Sequence, residues 1–218
     1  MSRTALWMLL AWTALVAGCN ILNPAIFILE GPPSNEAQYT LPDRPTVVFV
    51  DDRKNLLPRT QLRTIIGDRV AGDLMRQELV SATITSRDAV AVARREESVA
   101  KPLSIAEIGE KVGAEVVIYV QIGSFNLAEP GNMPRPNGYA LVKVIDATNR
   151  ARLFPTDAGD SGVQVNSTMR EVSMDLYNSQ AGRRSIEDQL ADNLGDRIAK
   201  LFYKHEKNEL GKGVGVRR

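Results

Sequence analysis

Residues 114–125 read AEVVIYVQIGSF, and this stretch decides the class of fold. Six of the seven residues from Val116 to Ile122 are apolar. A continuous apolar run of this length is typical of a strand that is buried on both faces of a sheet. The stretch therefore predicts a central strand with helices packed on the sheet.

A second apolar run, residues 46–52, reads TVVFVDD and predicts the first strand. Two adjacent carboxylates after a first strand are also typical of phosphoacceptor receiver domains, where they help to hold a metal ion. That fold needs an Asp at the end of a later buried strand, and residues 116–125 contain none. We therefore interpret Asp51 and Asp52 as an exposed strand end. They form a candidate rim for a partner, without a metal or catalytic role.

The residues between these two predicted strands show helical periodicity. Apolar residues recur at three- and four-residue spacing over residues 61–79, which predicts an amphipathic helix. A short strand is predicted over residues 82–85. Two further helices are predicted over residues 87–97 and 104–112, the second ended by Gly113.

The chain after the central strand predicts its antiparallel neighbours. In residues 139–147, apolar positions alternate between two faces, with Ala140, Val142 and Val144 on one of them. Further short strands are predicted over residues 151–154 and 162–168. A last helix, predicted to start at Ser185, carries an apolar stripe. The sequence therefore predicts one α/β (α+β) domain, a mixed sheet covered by helices, with a C-terminal amphipathic helix on one face.

The amino-terminal residues have the features of a secretory signal. Arg3 precedes the charge-free run of residues 5–16, which is too short for a bilayer span of about 20 residues. The run ends in Val16-Ala17-Gly18-Cys19 and resembles a bacterial lipobox, in which cleavage precedes a cysteine that receives diacylglycerol. A longer anchor helix is the alternative, but Pro24 would cost it about 3 kcal/mol.

These features divide the chain into four segments: a signal peptide over 1–18, a lipidated Pro-rich tether over 19–45, the α/β domain over 46–203 and a flexible basic tail over 204–218. Within the domain, residues 128–138 contain three prolines and two glycines. This loop carries Met133 and Arg135, which we take as a candidate partner surface because loops on rigid scaffolds often carry contacts.

Composition excludes several function classes. The net charge of the 218 residues is +1, which gives no support to nucleic-acid binding. One Cys and one His argue against an internal disulfide and a Cys/His zinc cluster. His205 lies in a charged tail, and no G-x-S-x-G motif is present. The sequence thus predicts a protein that is not an enzyme and needs no cofactor.

Two motifs carry a resemblance to a known group. Residues 105–120 read IAEIGEKVGAEVVIYV, and residues 144–148 read VIDAT. This pattern resembles the envelope lipoproteins that include the curli secretion lipoprotein, the activators of penicillin-binding proteins and the N-terminal domain of the Tol-Pal translocation protein. The resemblance implies an outer-membrane anchor at Cys19, a domain facing the periplasm and an envelope protein as partner. A homo-oligomeric or secretion-associated scaffold is the alternative, and a divergent enzyme is a third hypothesis.

Overall fold

The computed structural model describes residues 34–96, 103–128, 133–156 and 161–207. These residues fall into two units. The smaller unit contains a two-stranded antiparallel sheet, in which β1 (Ser34–Asn35) pairs with β8 (His205–Glu206). The larger unit, Ala37–Tyr203, contains all the other elements.

Strands and helices alternate through the first half of the larger unit, and strands dominate its second half until the closing helices. In chain order, the elements are β2 (Thr46–Asp51), α1 (Gln61–Arg76), β3 (Thr83–Ile84), α2 (Ser86–Glu96), α3 (Ile105–Val112), β4 (Val116–Asn126), β5 (Asn137–Asp146), β6 (Arg152–Phe154), β7 (Val163–Thr168), α4 (Met174–Asn178) and α5 (Gln180–Ala199).

Six of these strands form one mixed sheet in the order β3-β2-β4-β5-β6, with β7 also paired to β5. β2 is parallel to both β3 and β4, whereas β5 is antiparallel to β4, β6 and β7. The predicted central strand is confirmed, because β4 is paired along both of its edges. The predicted α/β class is confirmed as well.

Helices α1 and α5 cover the first face of the sheet. The alternation predicted for β5 is confirmed, since Ala140, Val142 and Val144 are fully buried on this face. The two helices contribute apolar stripes that meet these strand residues: Leu62, Ile66, Val70, Leu74, Leu190, Leu194 and Ile198.

Helices α2 and α3 cover part of the second face, where Val47, Phe49, Val117 and Tyr119 are buried. α3 begins with a capping box, in which the Ser104 hydroxyl accepts a hydrogen bond from the Glu107 amide and the Glu107 carboxylate accepts one from the Ser104 amide. It ends at Gly113, whose φ of 78° is the left-handed conformation that favours glycine. Local sequence therefore fixes both ends of this helix.

Several boundaries in the structure differ from the predicted ones. Residues 37–45, the end of the predicted tether, are part of the larger unit: Leu41 is buried in the core and Tyr39 stacks on Phe154 at 5.3 Å between ring centroids. α1 stops at Arg76, and Glu78 then adopts a positive φ of 54°.

The starts of two other helices and the predicted tail also differ from the sequence-based expectation. α5 begins at Gln180 instead of residue 185, because the Ser179 hydroxyl accepts a hydrogen bond from the Gly182 amide and caps the helix there. α2 begins at Ser86, one residue before its predicted start at residue 87. The predicted flexible tail contains β8, which is paired to β1.

Helices α1 and α5 pack against each other closely at Gly195, and this gives a first prediction. A Cβ atom on Gly195 would lie 2.8 Å from the Arg69 Cβ and 2.9 Å from the Ile66 carbonyl oxygen. We expect Gly195→Ala to lower the free energy of unfolding by about 2 kcal/mol, because backbone must move to make room. Urea denaturation measures this. Gly72→Ala is the matched control, since a Cβ there meets nothing within 4 Å; a similar loss in the control would contradict the close-approach explanation.

Candidate functional site

The hairpin of β4 and β5 extends beyond the neighbouring strand β2. Asp51, the last residue of β2, is in register with Gln121, whereas β4 continues to Asn126. The apolar cluster beneath α2 and α3 includes Tyr119 but no later residue of β4. The second face of the hairpin end is therefore left without a helix in the described part of the chain.

A β-bulge shapes this uncovered face. The register of β4 with β5 shifts between Ile122 and Ser124, which leaves Gly123 as the extra residue. The ring of Tyr139 lies directly over Gly123, and a Cβ atom at this glycine would overlap that ring. The missing side chain thus leaves room for the tyrosine ring at this position.

A cavity of about 290 Å³ opens at the same end of the sheet. Its lining comes from the ends of β4, β5 and β7 and from the segment before β5. Serine, threonine, asparagine and tyrosine side chains supply neutral hydrogen-bonding groups, and Arg135 alone carries a formal charge among the lining residues that the structure describes. The lining residues are Ser124, Arg135, Asn137, Gly138, Tyr139, Asn166, Ser167 and Thr168.

Arg135 is held between two anchored prolines. Pro134 and Pro136 are buried, and their carbonyl oxygens accept hydrogen bonds from the Val172 and Met169 amides, both at distances below 3 Å. Proline also restricts its own φ and the conformation of the residue before it. The backbone of Arg135 is therefore fixed while its side chain stays exposed.

The candidate partner residues Met133 and Arg135 are both exposed, with Met133 at 49% of its full accessibility. Arg135 lines the cavity, and Met133 is not among the lining residues. Whether either residue binds a partner stays a prediction. Asn166 and Thr168 were not predicted as site residues, because only the pairing of β7 with β5 brings them to this end of the sheet. The glycine inside the predicted central strand was the available sign of a bulge.

The prediction that Asp51 and Asp52 reach solvent is wrong, since they are 4% and 3% exposed. The Asp51 carboxylate accepts a 2.6 Å hydrogen bond from the Tyr119 hydroxyl, and the Arg53 guanidinium lies 3.2 Å away. The Asp52 carboxylate accepts hydrogen bonds from the amides of the loop that follows it. Both carboxylates are thus used inside the fold, and their role in partner binding stays a prediction.

The Asp of the VIDAT motif is likewise a structural residue. Asp146 accepts hydrogen bonds from the Thr148 and Asn149 amides, which closes the turn after β5, and from Arg44 at 2.9 Å. Desolvation of Asp146 acts to raise its pKa. The hydrogen bonds from Arg44, Asn149 and Thr148 outweigh that effect and hold the pKa below its ordinary value. The motif therefore stabilises a turn.

Two further features were sought in the described ranges. No three His, Cys, Asp or Glu side chains there come together as a metal site. None of the helices in those ranges has both the length and the apolar character needed to cross a bilayer. Val16, Ala17, Gly18 and Cys19, the predicted lipidation motif, lie outside the described residues.

No family model and no curated protein matches the chain. Solved structures do resemble it. A hypothetical protein of Chlamydia trachomatis is 15% identical, with a TM-score of 0.42 over 72% of this chain and 96% of the other. The PelC dodecamer of Paraburkholderia phytofirmans is 13% identical, with a TM-score of 0.39 over 78% and 95%. A lipoprotein of Neisseria meningitidis is 11% identical, with a TM-score of 0.39 over 67% and 96%. At these values none of them assigns a function to this chain.

Proposed function

We propose that this chain is a lipid-anchored lipoprotein of the cell envelope, whose α/β unit binds another envelope protein. The observation that carries the proposal is Val16-Ala17-Gly18-Cys19, which places the single cysteine of the sequence at the end of a short charge-free segment. Acyl chains contribute about 0.8 kcal/mol per buried methylene, so two chains are enough for a stable anchor.

The described residues support binding rather than catalysis. The carboxylates at the ends of β2 and β5 are engaged by hydrogen bonds from within the fold. The described lining residues offer hydroxyl, amide and guanidinium groups, and none of them is a carboxylate, a histidine or a cysteine. Histidine is the most frequent general acid or base, and carboxylates are also common in that role. The cavity is therefore suited to recognising a ligand.

The location that we propose is the outer membrane, with the domain facing the periplasm. Asn20 follows the cysteine, and an Asp at that position directs retention in the inner membrane in some bacteria. The anchor and the sorting residue are adjacent, so two variants can separate their effects.

The Cys19→Ala variant tests the anchor. We expect it to lose labelling by an alkyne-bearing fatty acid and to disappear from the outer-membrane fraction, because the thiol that accepts the lipid is gone. Asn20→Asp is the matched variant, expected to keep the label and to move to the inner-membrane fraction. Labelling or outer-membrane fractionation that survives in Cys19→Ala would refute the lipid anchor.

A further inference from the structure

The outer edge of β7 is open within the described part of the chain. The Met169 amide donates to the Pro136 carbonyl, so this pair is hydrogen-bonded, and such pairs alternate along an antiparallel ladder. Gln164, Asn166 and Thr168 belong to the pairs that are not hydrogen-bonded to β5. Their backbone N–H and C=O groups therefore point away from β5. No described strand pairs with that side of β7.

The composition of β7 leaves this edge available for pairing. Its six residues read VQVNST and include no charge and no proline, which are two common means of blocking a sheet edge. A strand of six residues is roughly 20 Å long at about 3.3 Å per residue. An extended peptide could therefore form several backbone hydrogen bonds along it.

The cavity lies beside this edge. The side chains of Asn166 and Thr168 are exposed on the second face of the sheet and contribute to the cavity lining. In a peptide added along β7, alternate side chains would point to that same face. One of them would lie next to the cavity while the backbone pairs with β7.

The cavity favours a negatively charged group. Among the described residues that line the cavity, Arg135 alone carries a formal charge, and the other side chains are neutral. In the described residues Arg135 forms no ion pair, and the anchored backbone on both sides of it keeps the start of its side chain beside the cavity. A guanidinium is well matched to a carboxylate, with which it can form two parallel hydrogen bonds.

We propose that the β7 edge and this cavity bind an extended peptide segment of another protein, with an acidic side chain of the peptide placed against Arg135. This rests on the proposed function and names the partner chemistry for it. Charge favours a different protein over a second copy, because β7 has no acidic residue to place against Arg135 if two copies pair through this edge.

Peptide binding to the full chain, purified from membranes in detergent, tests the proposal. The probes are fluorescein-labelled octapeptides of alternating valine and threonine, blocked at both ends, with Glu or Gln at one central position. Fluorescence anisotropy should show about tenfold tighter binding of the Glu peptide, as expected for a charge-assisted hydrogen bond. Arg135→Gln should remove this preference. Arg197→Gln, an equal charge change at an exposed position of α5, should keep it.

Backbone pairing is tested separately. Asn166→Pro removes an outward N–H group and keeps the ladder to β5, so it should weaken both peptides by about tenfold or more. Methylating alternate backbone nitrogens of the peptide checks the same point without changing the protein. One set of methylations should abolish binding, and the set on the opposite edge should not.

Four results would overturn the proposal. The first is equal affinity for the Glu and Gln peptides, and the second is an equal effect of the two methylation patterns. The third is competition by N-acetylglutamate amide at the same concentration as the Glu peptide, which would indicate a site for free carboxylates. The fourth is self-association through β7, seen as sedimenting oligomers that Asn166→Pro dissociates. Since the anchor is tested at Cys19, failure here leaves that result unaffected, and the reverse also holds.

Discussion

Replacing Arg69 by Met is expected to lower the free energy of unfolding by about 3 kcal/mol. Arg69 on α1 lies 3.0 Å from the Asp73 carboxylate on the same helix and 2.9 Å from Asp192 and Asp196 on α5. Asp73 is 1% exposed, so its charge is almost fully desolvated. Removing the guanidinium leaves three carboxylates close together between two helices.

The remaining cations compensate only partly for that loss. Arg76 lies 2.6 Å from the second oxygen of Asp73, and Lys200 lies 2.5 Å from Asp196. Desolvation of Arg69 acts to lower its pKa, and the Asp73 hydrogen bond with the three nearby negative charges outweighs this and raises it. Arg69 thus stays charged throughout the accessible pH range, and the expected loss should change little between pH 6 and pH 9.

Urea denaturation of the full chain in detergent, followed by far-UV circular dichroism, measures this difference. Arg197→Met changes an exposed arginine of α5 and should stay within about 0.5 kcal/mol of the parent chain. The double variant Arg69→Met with Asp73→Leu should recover part of the stability, because the unpaired buried charge is gone. A loss below 1 kcal/mol in Arg69→Met alone would show that Arg76 and Lys200 suffice.

The sequence predicted the elements whose pattern is local. The apolar run of β4 and the two-residue alternation of β5 follow directly from which faces are buried, so the order of strands and helices could be predicted. The capping box at Ser104 and the glycine at residue 113 marked both ends of α3 for the same reason. Each of these features depends on residues a few positions apart.

The candidate site depends on contacts between distant residues. β7 skips past β6 and pairs with the first half of β5, and only this register brings Asn166 beside Tyr139. No local pattern encodes that choice. The carboxylates after β2 show the same limit, because an exposed Asp and an Asp that caps a returning loop look alike in sequence.

The Asp52→Ala variant is expected to lower the free energy of unfolding by about 3 kcal/mol. The carboxylate of Asp52 accepts hydrogen bonds from the Leu56 amide at 2.7 Å and the Leu57 amide at 3.0 Å. Arg63 also donates a hydrogen bond to the backbone carbonyl of Asp52 at 3.1 Å. Alanine would leave two amide donors without an acceptor beneath the loop from β2 to α1. A buried donor without a partner costs about 1–3 kcal/mol.

Thermal and urea unfolding of two further variants show whether hydrogen bonding or charge is responsible. Asp52→Asn keeps one acceptor oxygen and the side-chain volume, so it should lose about half as much stability as Asp52→Ala. Asp68→Ala removes an exposed carboxylate from α1 and should stay within about 0.5 kcal/mol of the parent chain. Equal losses for Asp52→Asn and Asp52→Ala would instead assign the effect to the negative charge beside Arg63. If the predicted order of losses is observed, Asp52 in the stretch TVVFVDD is a structural residue, because its carboxylate binds the amides of the loop that leads into α1.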